Sequence, residues 1–397
     1  MANGRASVQG CRARVARGFT LIQIMVGVAL LGIVLTLVMG LLTQHLSGPR
    51  EQAGAPAPPS AETAAPPPEF SAVTVFFATD RNRTASTMPA AVFGSGRGSV
   101  TYGACEVSIP RDHRMGELEA PFSFLGFSLP EDQAKHVVLL STEVYPASRY
   151  FAELGQRIGR APAKSALIFV HGYNVTFEDA ARRTAQMTYD LGFEGAPVFY
   201  SWPSQGKETA YPKDEENIRW SEANLKRFLD DFLKRTDAQN IYLIAHSMGN
   251  RGAVAALGAI FAANPQHRQR FREIILTAPD IDAEIFVRDI APQIVGSRTT
   301  ITLYASSADR ALQLSKRFHG YPRLGDAGTR PVIIPGIETV DATTVDTSFL
   351  KHSYYAETSS VLSDMFYLIR QGLRAKDRFA LETVKTPDGK EYWKFKH

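Results

Sequence analysis

"IYLIAHSMGN", residues 241–250, runs a short apolar segment into Ser247, with Ala245 two positions before the serine and Gly249 two positions after. A strand that ends on a serine, followed at once by a helix, is the context a nucleophile elbow requires. The flanking residues must be small because the sharp turn strains the serine backbone and crowds its neighbours. Ala245 stands where a glycine is usual and is still small. A serine that only caps a helix would produce the same local pattern, so the surrounding chain has to decide.

Working outward, short β-branched runs recur at 73–79, 136–142, 165–172, 197–203, 240–247, 273–280, 300–307 and 337–343, each bounded by Gly, Pro, Asp, Asn or Ser. Their interiors are apolar at both alternating positions, which suits strands covered on both faces. Helix-like segments lie between the later ones: Phe177 to Leu191, Asn217 to Arg235, and Arg251 to Ala263. In the second, Ile218, Leu225, Phe228, Leu229 and Phe232 form one stripe. Alternation of strand and helix from residue 165 onward predicts an α/β fold, a doubly wound and mostly parallel sheet. Residues 70–160 are Gly-rich and irregular, and read as extra strands or hairpins on the same domain. "FGSGRG" (93–98) lacks the lysine and following helix of a phosphate loop.

A serine hydroxyl needs a base to take its proton and donors for the oxyanion that forms. One donor is expected at the Met248 N–H. The other is expected from "FVHGYN" (169–174), where Gly172 lets the backbone approach and Tyr173 supplies the N–H. His171 is expected to brace that loop. In sheets of this design the chain order is serine, acid, histidine. His267, His319, His352 and His397 follow Ser247, and His352, after the last strand-like run, is where a base is expected. For the acid there are two candidates: Asp309, which follows the penultimate strand and is favoured for that position, and Asp280 with Asp282, which follow the strand before; Asp280 also reads as a rim or structural residue. Trp202, in "SWPS", reads as lining an acyl or alcohol pocket, with core packing as the other reading. The segment from Ala283 to Arg298 has room for one helix, so no large cap domain is expected. No histidine pair sits at metal-ligand spacing, and neither a metal nor a cofactor is expected.

"FFATDRN", "YGACEVSIP", "VHGYNVTFEDAARRTAQMTYDLGF", "YSWPSQG", "LIAHSMGN", "TAPDID" and "LYASSADRAL" together resemble a family of bacterial α/β-hydrolases of poorly defined substrate, grouped with the esterases and lipases. The resemblance runs from about Phe76 to His352. It implies the α/β-hydrolase fold and a Ser247–Asp309–His352 triad, and it supplies no substrate.

The N-terminus carries a different signal. Phe19 to Leu42 holds no charge. At about 1.5 Å per residue it is long enough to cross a hydrocarbon core of roughly 30 Å. Residues 1–50 contain five arginines and no acid; of 44 basic residues that leaves 39 against 40 acids in the rest. The basic excess is therefore local, which argues against a nucleic-acid surface, and it predicts a cytoplasmic N-terminus. Residues 1–18 read as a basic leader, 19–42 as a transmembrane helix, 43–69 as a Pro/Ala-rich linker, and 70–397 as the folded domain with its core at 161–375. This places the domain periplasmic or extracellular on a bacterial inner membrane. "RGFTLI" (17–22) resembles a type IV prepilin leader, which implies cleavage by a prepilin peptidase between Gly18 and Phe19. Gln23 stands where that family has glutamate. Cys11 and Cys105 would lie on opposite sides of the membrane, so no disulfide is expected.

The expected function is a membrane-anchored serine hydrolase acting on a small-molecule or lipid-like ester through an acyl-enzyme. A non-catalytic module of a pilus-like assembly, and an amidase or acyltransferase using the same triad, are the alternatives.

Overall fold

The computed structural model describes residues 68–396, apart from 122, 125, 126, 129, 297, 298 and 346–358. The expected leader and span, and the linker up to residue 67, lie outside the described residues, as does His352. Among the described residues no helix is long and apolar enough to cross a membrane.

The strands are β1 (Phe70–Arg83), β2 (Phe93–Pro110), the short pair β3 (Ser123–Phe124) and β4 (Phe127–Ser128), β5 (Val138–Tyr145), β6 (Ser165–Val170), β7 (Ala196–Ser201), β8 (Asn240–His246), β9 (Phe271–Thr277), β10 (Thr300–Ala305), β11 (Glu338–Asp341), β12 (Leu381–Lys385) and β13 (Glu391–Phe395). The main helices are α1 (Ala147–Arg160), α2 (Phe177–Asp190), α3 (Tyr211–Arg235), α4 (Gly249–Ala263), α5 (Arg310–His319) and α6 (Ser359–Gln371), with a helical run at 283–294.

Eleven of the strands form one sheet in the order β12-β13-β11-β10-β9-β8-β6-β7-β1-β2-β5. From β13 to β1 every neighbour pair is parallel; β12, β2 and β5 are antiparallel additions. Within β6 the side chains alternate between two cores. Ile168 and Val170 face one, with Leu225, Phe228 and Phe232 of α3, while Leu167 and Phe169 face the other, with Phe177 and Ala181 of α2. Each fully buried Leu or Phe contributes about 1.5–3 kcal/mol, so both faces must be covered. That is why these strands are apolar throughout.

The topology sets the site. From β6 the chain passes through α2 to β7 on one side, then returns through α3 to β8 on the other. The strand order reverses here, and in open α/β sheets the place for a site is outside the C-terminal ends of the strands at such a reversal. The register pairs Val170 with Ala245, so His171 and His246 leave the sheet side by side.

Two expectations are revised. The helix expected from Asn217 begins at Tyr211, with Pro212 in its first turn. "FGSGRG" opens the 18-residue β2. The sheet also continues past residue 375, where a C-terminal hairpin adds β12 and β13 beside β11.

Candidate active site

Ser247 has φ +48°, a left-handed conformation that costs a non-glycine residue about 1–3 kcal/mol. The surroundings hold it there. Its N–H donates to Thr277 O at 2.9 Å, and its carbonyl accepts from Asn250 N (3.1 Å), Asn250 Nδ2 (3.0 Å) and Asp280 N (3.2 Å). Gly249 is obligatory for the packing: a Cβ there would lie 2.2 Å from His171 O. The helix α4 starts directly after, with no side chain capping its first turn.

The loop after β6 closes on the serine from the other side. A Cβ on Gly172 would lie 3.0 Å from Ser247 Cβ and 2.7 Å from His246 Nδ1. Among the described residues neither the Met248 N–H nor the Tyr173 N–H meets an acceptor. Of these two backbone donors, the Met248 N–H stands at the positive end of a 15-residue helix.

His171 is fully buried, and burial together with the Arg81 charge lowers its pKa to about 3, so its ring is neutral. Nδ1 lies 2.8 Å from Gly172 O, which can only accept, so Nδ1 carries the proton and donates. Nε2 then accepts from Ser201 Oγ at 3.1 Å, and Ser201 Oγ accepts in turn from Arg81 Nε at 2.8 Å. Gly172 C=O and Tyr173 N–H belong to one planar trans peptide. Holding the carbonyl therefore aims the N–H, and the Arg81–Ser201–His171 chain fixes that direction.

Arg81 was not singled out from the sequence. It is buried at the end of the "TDR" stretch, and burial lowers its pKa to about 10 against the pull of Asp214, Asp80 and Asp179. Beyond Ser201 it donates to Ser204 O (2.8 Å) and Val175 O (2.7 Å). Asp214 completes the frame, accepting from Ser204 Oγ (2.5 Å), Gln205 N (2.7 Å) and Asn174 N (3.1 Å). Burial raises its pKa. Trp202 is fully buried and stacks on His171, with ring centroids 5.1 Å apart, while its Nε1–H donates to His171 O at 2.8 Å. It is a strut behind the loop, not the wall of a pocket.

The two candidate acids differ. Asp280 is locked in a cluster: Tyr211 OH (2.5 Å), Ser315 Oγ (2.6 Å) and Arg251 (3.2 Å) all donate to its carboxylate, and Arg323 lies 3.5 Å away. Glu215 extends this cluster to Arg251 and His319. Asp309, buried after β10, caps α5 through Oδ1, which accepts from Ala311 N and Leu312 N. The chain leaving β11 toward residues 346–358 is tied to the same loop, with Ser307 N donating to Thr343 Oγ1 at 3.0 Å. His319 engages Glu215 and Ser315, and no described histidine hydrogen-bonds Ser247 Oγ.

A family model described as alpha/beta hydrolase of unknown function (DUF900) matches residues 148–371, more than half of the chain. No curated protein matches. Among solved structures, a predicted CIB-like hydrolase from Thermoplasma acidophilum is 14% identical over 59% of this chain and 93% of its own, with TM-score 0.31. An esterase from Pyrobaculum calidifontis is 12% identical over 68% and 81%, with TM-score 0.30. Esterase B from Lactobacillus rhamnosis is 12% identical over 77% and 86%, with TM-score 0.34. At such scores, substrate and mechanism have to be read from this chain's own residues.

Proposed function

The chain belongs to the family of alpha/beta hydrolases of unknown function (DUF900), and from that membership we propose that it is a serine hydrolase that cleaves carboxylic esters through an acyl-enzyme. Ser247 Oγ attacks the ester carbonyl and gives its proton to His352. Asp309 holds that imidazole in its tautomer through the carboxylate oxygen not used in capping α5, and it stabilises the imidazolium. The negative oxygen of the tetrahedral intermediate receives the Met248 and Tyr173 N–H groups. Collapse breaks the ester C–O bond, and the departing alcohol takes the proton from His352. Water then attacks the acyl-enzyme, His352 accepts its proton and returns it to Ser247, and the acid leaves.

The observation that carries this reading is the left-handed Ser247 wedged against Gly172, with the adjoining Met248 and Tyr173 N–H groups meeting no acceptor among the described residues. The test is a panel of ester, thioester and amide substrates run on the full chain in detergent, with Ser247→Ala as control. Ester turnover lost in the variant supports the proposal. Ester turnover equal in both proteins refutes it. Preference for amides, or transfer to an added alcohol, would favour the amidase or acyltransferase reading of the same residues.

The proposal extends to place. The charge-free run 19–42, with arginines before it, supports a single-pass anchor with the domain outside the cytoplasm. The "RGFTLI" stretch supports cutting at Gly18–Phe19. Protease accessibility on intact spheroplasts and N-terminal sequencing of the mature chain test the two separately.

A further inference from the structure

Helix α5 divides its residues sharply. Leu312 and Ser315 are buried and His319 half-buried on one side. At roughly 100° per residue, Arg310, Leu314, Arg317 and Phe318 fall within about 100° of arc on the other. There Leu314 is 46% exposed and Phe318 70%, and Tyr321, just past the helix, is 58% exposed. Arg310 and Arg317 are exposed beside them. Ala283 N donates to Pro322 O, which brings in the helical run whose Ile285 is also exposed. Large apolar groups interleaved with arginines on one face are the composition of a surface that lies in a bilayer interface, apolar groups among acyl chains and guanidinium groups among anionic headgroups.

The same face connects to the site. Phe318 stacks on Tyr211 at 6.4 Å between centroids, and Tyr211 meets Tyr173 edge-on at 5.4 Å. An aromatic track thus runs from the exposed face to the loop beside Ser247. The chain outside the structure points to the same partner. A 24-residue charge-free run is joined to the domain by residues 43–69. Such a linker reaches between roughly 30 Å coiled and roughly 80 Å extended, so a domain tethered this way stays within reach of the bilayer.

We propose that the outer face of α5 is a docking surface for an anionic lipid bilayer, and that it delivers long-chain esters along the Phe318–Tyr211–Tyr173 track to Ser247. The docking stands without the hydrolase reading; only the delivery of substrate rests on it.

Among the described residues both cores run from Val75 to Phe395, and residues 67–397 form a compact unit of their own, so this unit can be tested without the N-terminal run. Co-sedimentation of that domain with phosphatidylcholine vesicles, with and without phosphatidylglycerol, is the measurement. Binding is expected with phosphatidylglycerol only. The double variants Leu314→Ser/Phe318→Ser and Arg310→Glu/Arg317→Glu are each expected to weaken it at least about tenfold. Both double variants should keep the circular-dichroism spectrum of the wild type, and Ser247→Ala should bind as wild type does. Absence of binding to the anionic vesicles, or binding unchanged in both double variants, would overturn the proposal. Normal vesicle binding by a domain that hydrolyses no ester would leave the docking surface standing and remove the hydrolase.

Discussion

Gly172 stands against Ser247 so closely that a Cβ on the glycine would lie 3.0 Å from the serine Cβ. The two residues leave adjacent parallel strands at the point where the strand order reverses. Their contact joins the bend at Ser247 to the loop that carries the Tyr173 N–H. Gly172→Ala must push the loop and the elbow apart. Steady-state kinetics should show kcat/KM down about tenfold to a hundredfold, the range expected when reacting groups are slightly misplaced, with the melting temperature nearly unchanged.

His171 acts through the peptide that follows it. His171→Phe keeps a ring to stack on Trp202 but removes the donor to Gly172 O. The Tyr173 N–H then loses its fixed direction. Removing an oxyanion donor outright costs about 10²–10³ in kcat, so loosening one should cost about tenfold to a hundredfold. KM should hardly move, because the lost interaction is made in the transition state. A variant that raises KM at constant kcat would place His171 in ground-state binding instead.

The two aspartates should separate cleanly. Asp309→Asn should lower kcat by up to about 10⁴, as loss of the tautomer-setting acid does. Asp280→Asn breaks a buried cluster with Arg251 and Arg323 and should cost about 3–5 kcal/mol of stability, with kcat within about tenfold of wild type at low temperature. Urea melts and kinetics on both variants decide it, and the reverse pattern would make Asp280 the acid.

Two histidines tie stability to pH in opposite senses. Burial opposes the charge on His113, but Nε2–H donates to Asp190 (2.8 Å) and Nδ1–H to Glu119 (2.9 Å), and its pKa rises to about 9 from an ordinary 6.5. This clamp, which ties the turn after β2 to the end of α2, contributes in full below pH 6.5 and is lost as the pH rises through 9. His171, lowered to about 3, contributes above pH 6.5, and that contribution is lost as the pH falls toward 3. Thermal melts from pH 7 to 10 should show wild type losing stability, with His113→Gln much flatter.

Much of the fold could be read because parallel strands buried on both faces must be apolar at every position, and the ends of β6, β7 and β8 fell within two residues of the apolar runs. The edges were harder. β12 fully buries only Leu381 of its five residues, so its sequence looks like any polar tail. β2 begins in glycines, which pair against β1 across two register shifts. The start of α3 was missed because a polar first turn hides it, although Pro212 marks it. In the site, the elbow and the Gly172 loop announce themselves by small residues at forced turns. Arg81 does not: nothing local distinguishes an arginine that salt-bridges at a surface from one that feeds acceptors within the fold, since those acceptors come from Gly94, Val175, Ser201 and Ser204. For Trp202 the sequence left pocket lining and core packing open for the same reason, its partner being a backbone carbonyl 31 residues away.

The most direct measurement is active-site labelling with a fluorophosphonate, followed by peptide mass spectrometry on wild type and Ser247→Ala. A hydroxyl activated at the elbow predicts a single adduct on the peptide containing Ser247 and none on the variant. Labelling of Ser247→Ala as strong as that of wild type, or an adduct mapped to another residue, would contradict it.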